Sequence, residues 1–117
     1  MLIGAMNNPG RPLAEQIQWL GKMNFDFVDL TLEPPHAASW KIDAPALKRL
    51  LADSNLRVVG HTAPFLPIAS PVEELRQAAL VEFRRCIDVF QCIGRNVLKQ
   101  TWAASGGDEL RSQRAAS

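Results

Sequence analysis

The sequence is poor in the features that mark several classes of protein. Its 13 basic and 12 acidic residues give a net charge of +1, and the basic residues are scattered, so we expect neither nucleic acid nor a membrane as a partner. The longest uncharged run, residues 58–72, contains three prolines and is too short to span a bilayer. No basic stretch leads into an apolar run at the start of the sequence, which argues against a signal peptide.

Cysteine is equally scarce. Cys86 and Cys92 are the two cysteines, and they lie six positions apart in one predicted helix, on different faces, where they are poorly placed to bond to each other. Two free thiols suit a reducing compartment. We therefore expect a cytoplasmic protein without disulfides.

What the sequence does contain is the alternation of strands and helices typical of one α/β domain. Of its 117 residues, 47% are hydrophobic and 21% charged, which is ordinary for a globular protein. Apolar runs, helical periodicity and turn residues predict, in chain order, a strand at 2–6, a helix from Pro12, a strand at 25–32, a helix from Asp43 to near Asn55, a strand at 56–61, a helix from Ser70 to Gly94, and a candidate fourth strand at 96–101.

Two helix starts carry capping signals. Asp43 suits the N-cap of the second helix, whose inner face is predicted to hold Leu47, Leu50 and Leu51. Ser70 and Glu73 have the spacing of a capping box, with Pro71 at the first helical position of the third helix. The seam of that helix is predicted to be Val72, Leu75, Ala79, Phe83, Cys86, Phe90 and Ile93.

Units of this order and size make a parallel sheet, either open or part of a barrel. In both architectures ligands bind at the carboxyl ends of the strands. The polar candidates there are Asn7, Glu33, His36 and His61, together with Trp40 in the second loop, whose indole face suits a sugar ring. We predict that Gly60 ends the third strand, so that His61 faces a pocket and its replacement by alanine costs under about 1 kcal/mol.

The acidic residues and the glycines do not form the patterns of a carboxylate pair or a phosphate-binding loop. Asp26 and Asp29 are three positions apart, so they point to opposite sides of a strand and form no carboxylate pair. The scattered glycines make no phosphate-binding loop after the first strand. Glu33, His36 and His61 lack a metal-ligand spacing, and we assign no metal ligand among them.

The segments "IGAMNNPGRPLAEQIQWLGKMNFDFVDLTLE" and "VVGHTAPFLPIASPVEELRQAALVEFRRCIDVFQCIG" resemble the N-terminal half of the xylose isomerase-like TIM barrels. That superfamily includes sugar phosphate isomerases and epimerases as well as apurinic-site nucleases. The resemblance implies that His61 lines a sugar pocket in the epimerase branch or binds zinc in the nuclease branch. It also implies a divalent metal in the full-length family (manganese, magnesium, cobalt or zinc), held by residues on strands 5 to 8.

The resemblance leads to a partial (β/α) barrel over residues 1–102, with three βα units and a candidate fourth strand, followed by a disordered tail at 103–117. A closed barrel usually has about 250 residues, so we expect a fragmentary sugar or sugar phosphate isomerase/epimerase, without a cofactor of its own. The family's reaction moves a proton next to a sugar carbonyl with the help of the metal. Thr101 and Trp102 stand where the family usually has His-Pro, which leaves activity undecided.

Two alternatives stay open at this point. One is a metal-dependent apurinic-site nuclease, and the other is a non-catalytic assembly module. Because a partial barrel has open sheet edges and an uncovered interior, the sequence also predicts a homo-oligomer.

Overall fold

The computed structural model describes residues 1–94. The candidate fourth strand at 96–101 and the predicted tail at 103–117 lie outside them. The elements within residues 1–94 are β1 (Gly4–Met6), α1 (Leu13–Lys22), β2 (Phe27–Leu32), a 3₁₀ helix (Ser39–Lys41), α2 (Ala44–Asp53), β3 (Arg57–Thr62) and α3 (Glu73–Ile93). None of the helices among these residues is long and apolar enough to cross a membrane.

The three strands form one parallel sheet in the order β1-β2-β3. The register places Met6 beside Asp29 and Asp29 beside Val59, while Thr31 lies beside His61. Parallel neighbours need a crossover connection, and α1 and α2 lie in the two connections. The predicted α/β class is therefore confirmed, and the arrangement is consistent with part of a βα barrel.

All three helices pack against one face of the sheet. Val28, Leu30 and Leu32 of β2 are fully buried there. The helices contribute Ile17 and Leu20 from α1, Leu47 and Leu51 from α2, and Cys86, Val89, Phe90 and Ile93 from α3. The hydrophobic core thus lies between the sheet and the helices.

The opposite face of the sheet, here called the inner face, follows from the alternation of side chains along each strand. It consists of Gly4, Met6, Phe27, Asp29, Thr31, Arg57, Val59 and His61. It corresponds to the side of a βα barrel that faces the interior.

The third strand runs further than predicted, because Gly60 lies inside β3 and does not end it. A Cβ atom at position 60 would overlap the ring of Phe90, which packs there from α3. Glycine is needed at this point for helix packing and not for a turn. His61 is therefore part of the strand, with a side chain that alternates onto the inner face.

The two capping predictions have different outcomes. The carboxylate of Asp43 accepts a hydrogen bond from the backbone N–H of Ala46 at 3.1 Å and caps α2, as predicted. The predicted capping box of the third helix is wrong: α3 begins at Glu73, with Val72 at its N-cap and no side-chain cap. The Ser70 hydroxyl accepts a hydrogen bond from the N–H of Val72, so it closes a turn just before the helix.

The seam of α3 also differs from the prediction at its start. Val72 and Leu75 are exposed, whereas the later seam positions Cys86, Phe90 and Ile93 are buried. Because the helix begins later than predicted, its first turn lies beyond the sheet core.

Candidate functional site

The inner face carries a histidine paired with a carboxylate. Asp29 on β2 and His61 on β3 lie on neighbouring parallel strands, two positions apart in register and on the same face. The Nδ1 atom of His61 is 2.8 Å from Oδ1 of Asp29. The histidine side chain is 10% exposed and that of Asp29 is 29% exposed. The pair is therefore partly shielded from water but still accessible from solvent.

This geometry fixes the chemistry of the imidazole. When His61 is neutral, a carboxylate at Nδ1 holds the proton on that nitrogen and leaves the lone pair on Nε2. Within residues 1–94 no hydrogen bond is made by Nε2. The ring can therefore accept a hydrogen bond or a proton at Nε2, while Asp29 stabilises the positive charge that results.

Asn7 lies directly after β1 and extends its pairing with β2. Its side-chain oxygen accepts a hydrogen bond from the N–H of Thr31 at 2.7 Å, and its amide nitrogen donates to the Thr31 carbonyl at 3.2 Å. The side chain is buried and both of its polar atoms are used. Asn7 thus holds the carboxyl ends of β1 and β2 together, and its predicted contact with substrate stays a prediction.

Thr31 is the register neighbour of His61 and is almost completely buried. Its hydroxyl oxygen has no hydrogen-bond partner within residues 1–94. A buried hydroxyl without a hydrogen-bond partner lowers the stability of the fold. The Thr31 hydroxyl is therefore either available to a ligand or destabilises the chain.

The other predicted site residues lie around the same edge, but no hydrogen bond within residues 1–94 joins them to His61. Glu33 follows β2 and is half-buried, and its carbonyl accepts a hydrogen bond from the N–H of Ala37. His36 and Trp40 are exposed. His36 and Leu13 are among the residues that line a cavity of about 210 Å³ beside α1 and α2. Their roles in binding substrate stay predictions.

The loop after β2 is held onto α3 by a carboxylate. The Ser39 hydroxyl donates to Oε1 of Glu82 at 2.6 Å, and the Sγ atom of Cys86 lies 3.9 Å from the other oxygen of Glu82. Burial and the negative charge of Glu82 raise the pKa of Cys86 to about 12, against the opposing effect of Arg85. Cys86 is consequently a packing residue and a poor nucleophile near neutral pH.

The divalent metal implied by the resemblance does not fit the described residues. Among residues 1–94, no group of three histidine, cysteine, aspartate or glutamate side chains is arranged to hold an ion. Asp29 and His61 supply two such groups, and a protein metal site usually needs at least three.

The fold is similar to a solved structure, the crystal structure of N-terminal His-tagged D-allulose 3-epimerase from Methylomonas sp. with additional C-terminal residues. The TM-score is 0.62, with 19% sequence identity, and the match covers 98% of this chain and 44% of the epimerase chain. The chain thus spans less than half of that protein's length. No protein-family model and no curated protein sequence matches the chain.

At 19% identity the likeness concerns the fold. It confirms the expected α/β architecture and is consistent with a partial βα barrel.

Asp29 is the member of this pair that the sequence did not predict. In the sequence it stood only as a partner for Asp26, whose carboxylate instead accepts a hydrogen bond from the N–H of Ile3. The available signal was alternation: Val28, Leu30 and Leu32 form one apolar face, which leaves Asp29 on the face opposite the helices.

Proposed function

We propose that this chain binds a sugar at the carboxyl edge of its sheet, as part of a sugar isomerase/epimerase-like barrel. The observation that carries the proposal is the Asp29/His61 pair, which lies on the inner face of the strands. In βα barrels, ligands gather at this edge. Sugar hydroxyls donate hydrogen bonds, and the pair offers two acceptors, Nε2 of His61 and the partly exposed carboxylate of Asp29.

The reaction suggested by the fold is the movement of a proton at the carbon next to a sugar carbonyl. His61 suits the part of proton acceptor, because Asp29 orients the ring and stabilises the imidazolium that forms. Inversion of a carbon centre also needs a group on the opposite side of the sugar to return the proton. Residues 1–94 of one copy present one imidazole–carboxylate pair, so we expect these residues to bind the sugar without epimerising it.

Titration of the isotope-labelled chain with D-allulose, followed by NMR, tests the proposal. D-Fructose, the epimer at carbon 3, serves as the second probe, and glycerol serves as a polyol control. We expect millimolar sugar to shift the imidazole signals of His61 and the amide signal of Thr31, and glycerol to leave both unchanged.

His61→Asn and Asp29→Asn should each weaken sugar binding, because each removes one half of the pair. The matched control is Asp88→Asn, which makes the same chemical change at an exposed position on α3. Sugar shifts centred on His36, or equal shifts with glycerol, would contradict the proposed site.

A further inference from the structure

Part of the inner face is apolar and exposed within residues 1–94. Met6 on β1 is 58% exposed, and Leu2, which precedes β1 on the same alternation, is 61% exposed. Parallel sheets are normally covered on both faces. Among residues 1–94 the helices lie on one face of this sheet, so its inner face has the character of an interface.

The edges of the sheet also favour an interface. β1 and β3 are edge strands among the described residues, and the free backbone groups of an edge strand favour pairing with another strand. Beside β3 a groove of about 740 Å³ is lined by Val58 and Val59, by Lys48 of α2 and by Ile93 at the end of α3. This groove continues the exposed edge towards the inner face.

The inner face has two candidate occupants, residues 95–117 and a second copy of the chain. Residues 95–117 contain four large apolar side chains, Val97, Leu98, Trp102 and Leu110, which are few for covering a three-stranded face. A second copy brings the same exposed Met6 and Leu2 and the same two edge strands of the described residues. The fold match also covers 44% of the epimerase chain, so two units of this size account for most of a protein of that length.

Symmetry favours the second copy. A twofold axis parallel to the strands brings the two inner faces together and places the β1 side of each copy towards the β3 side of the other. Both contacts form at once, so the assembly closes as a dimer and exposes no further copy of the interface. The same axis keeps the carboxyl ends of all strands at one end.

We propose that two copies of this chain pack through their inner faces into a closed dimer, with both Asp29/His61 pairs at one shared mouth. The site of each copy is then completed by residues of the other. The dimer rests on the exposed apolar face and the free edges, and it does not depend on sugar binding.

Sedimentation velocity of the 117-residue chain at micromolar concentrations, without sugar, tests the dimer. We expect the mass of a dimer for the unmodified chain and a dissociation constant raised on the order of 100-fold by Met6→Asp, because the new charge is buried without a partner. The matched control is Val81→Asp, which alters an exposed residue on α3 and should leave the dimer intact. Far-UV circular dichroism confirms that both variants are folded.

Crosslinking adds a readout that does not rely on a destabilising charge. In a Cys92→Ser background, Met6→Cys places the one accessible thiol on the inner face, because Cys86 is buried. We expect a short bismaleimide to link two such chains, and to leave the Val81→Cys control unlinked. A monomer at all concentrations, an open-ended series of larger species, or equal crosslinking of both variants would overturn the proposal.

Discussion

Removal of the His61 side chain tests whether the Asp29/His61 pair stabilises the fold. His61 is 8% exposed, and a hydrogen bond to a charged group contributes about 1.5–3 kcal/mol when it is buried. The contribution falls towards the lower end here, since the Asp29 side chain is 29% exposed and remains hydrated after the change. Adding the lost packing of the ring, we expect His61→Ala to lower the free energy of unfolding by about 2 kcal/mol.

A double-mutant cycle separates the hydrogen bond from the packing. His61→Ala, Asp29→Asn and the double variant, unfolded in urea and followed by circular dichroism, should give a coupling energy of about 1 kcal/mol. His36→Ala is the control and should change stability by less than about 0.5 kcal/mol, because that histidine is exposed. A coupling energy near zero, or equal losses for the two histidines, would refute the reasoning and return His61 to the loosely held pocket residue expected from sequence.

Three further outcomes follow from the packing of the described residues. Thr31→Val should leave stability unchanged or raise it by about 1 kcal/mol, since it removes an unpartnered buried hydroxyl; a clear loss in urea unfolding would show that this hydroxyl has a partner. Gly60→Ala should cost about 1–3 kcal/mol in the same assay through overlap with Phe90, and a neutral result would mean that the ring moves aside. Because the pKa of Cys86 is raised to about 12 in the folded chain, its contribution is complete below pH 9 and is lost as the pH rises from about 9 to about 12; thermal melts of Cys86→Ala should fall less steeply in that range than those of the unmodified chain.

Local signals predicted local structure well. Asp43 caps α2 because its carboxylate reaches an N–H three residues ahead, an interaction contained within one turn. Asn55 ends the connection from α2 in a left-handed conformation, with φ of 54°, as its side chain tolerates. Ser70 had a similar signal and a different outcome, because its hydroxyl bonds to the nearer N–H of Val72.

The candidate site was predictable only in part, because its key contact depends on the register of two strands. The order of elements predicted His61 at the end of the third strand, whereas the structure has it within the carboxyl half of β3. Asp29 is 32 positions away in sequence, and its contact with His61 follows from the pairing of Thr31 with His61. Register is set by packing across the whole sheet, so alternation within one strand identifies the face of Asp29 but not its partner.

The side chains at the two ends of the inner face differ in character, and the two ends suit different functions. At the amino ends of the strands, Gly4 lies under the ring of Phe27, and the preceding Leu2 is exposed. At the carboxyl ends, Thr31 and His61 are buried polar neighbours. Apolar contact is strong but unselective, whereas paired polar groups distinguish ligands by their hydrogen bonds. The amino halves of the strands therefore suit association between chains, and the carboxyl halves suit recognition of a sugar, so that substitutions at Leu2 and at His61 should affect different measurements.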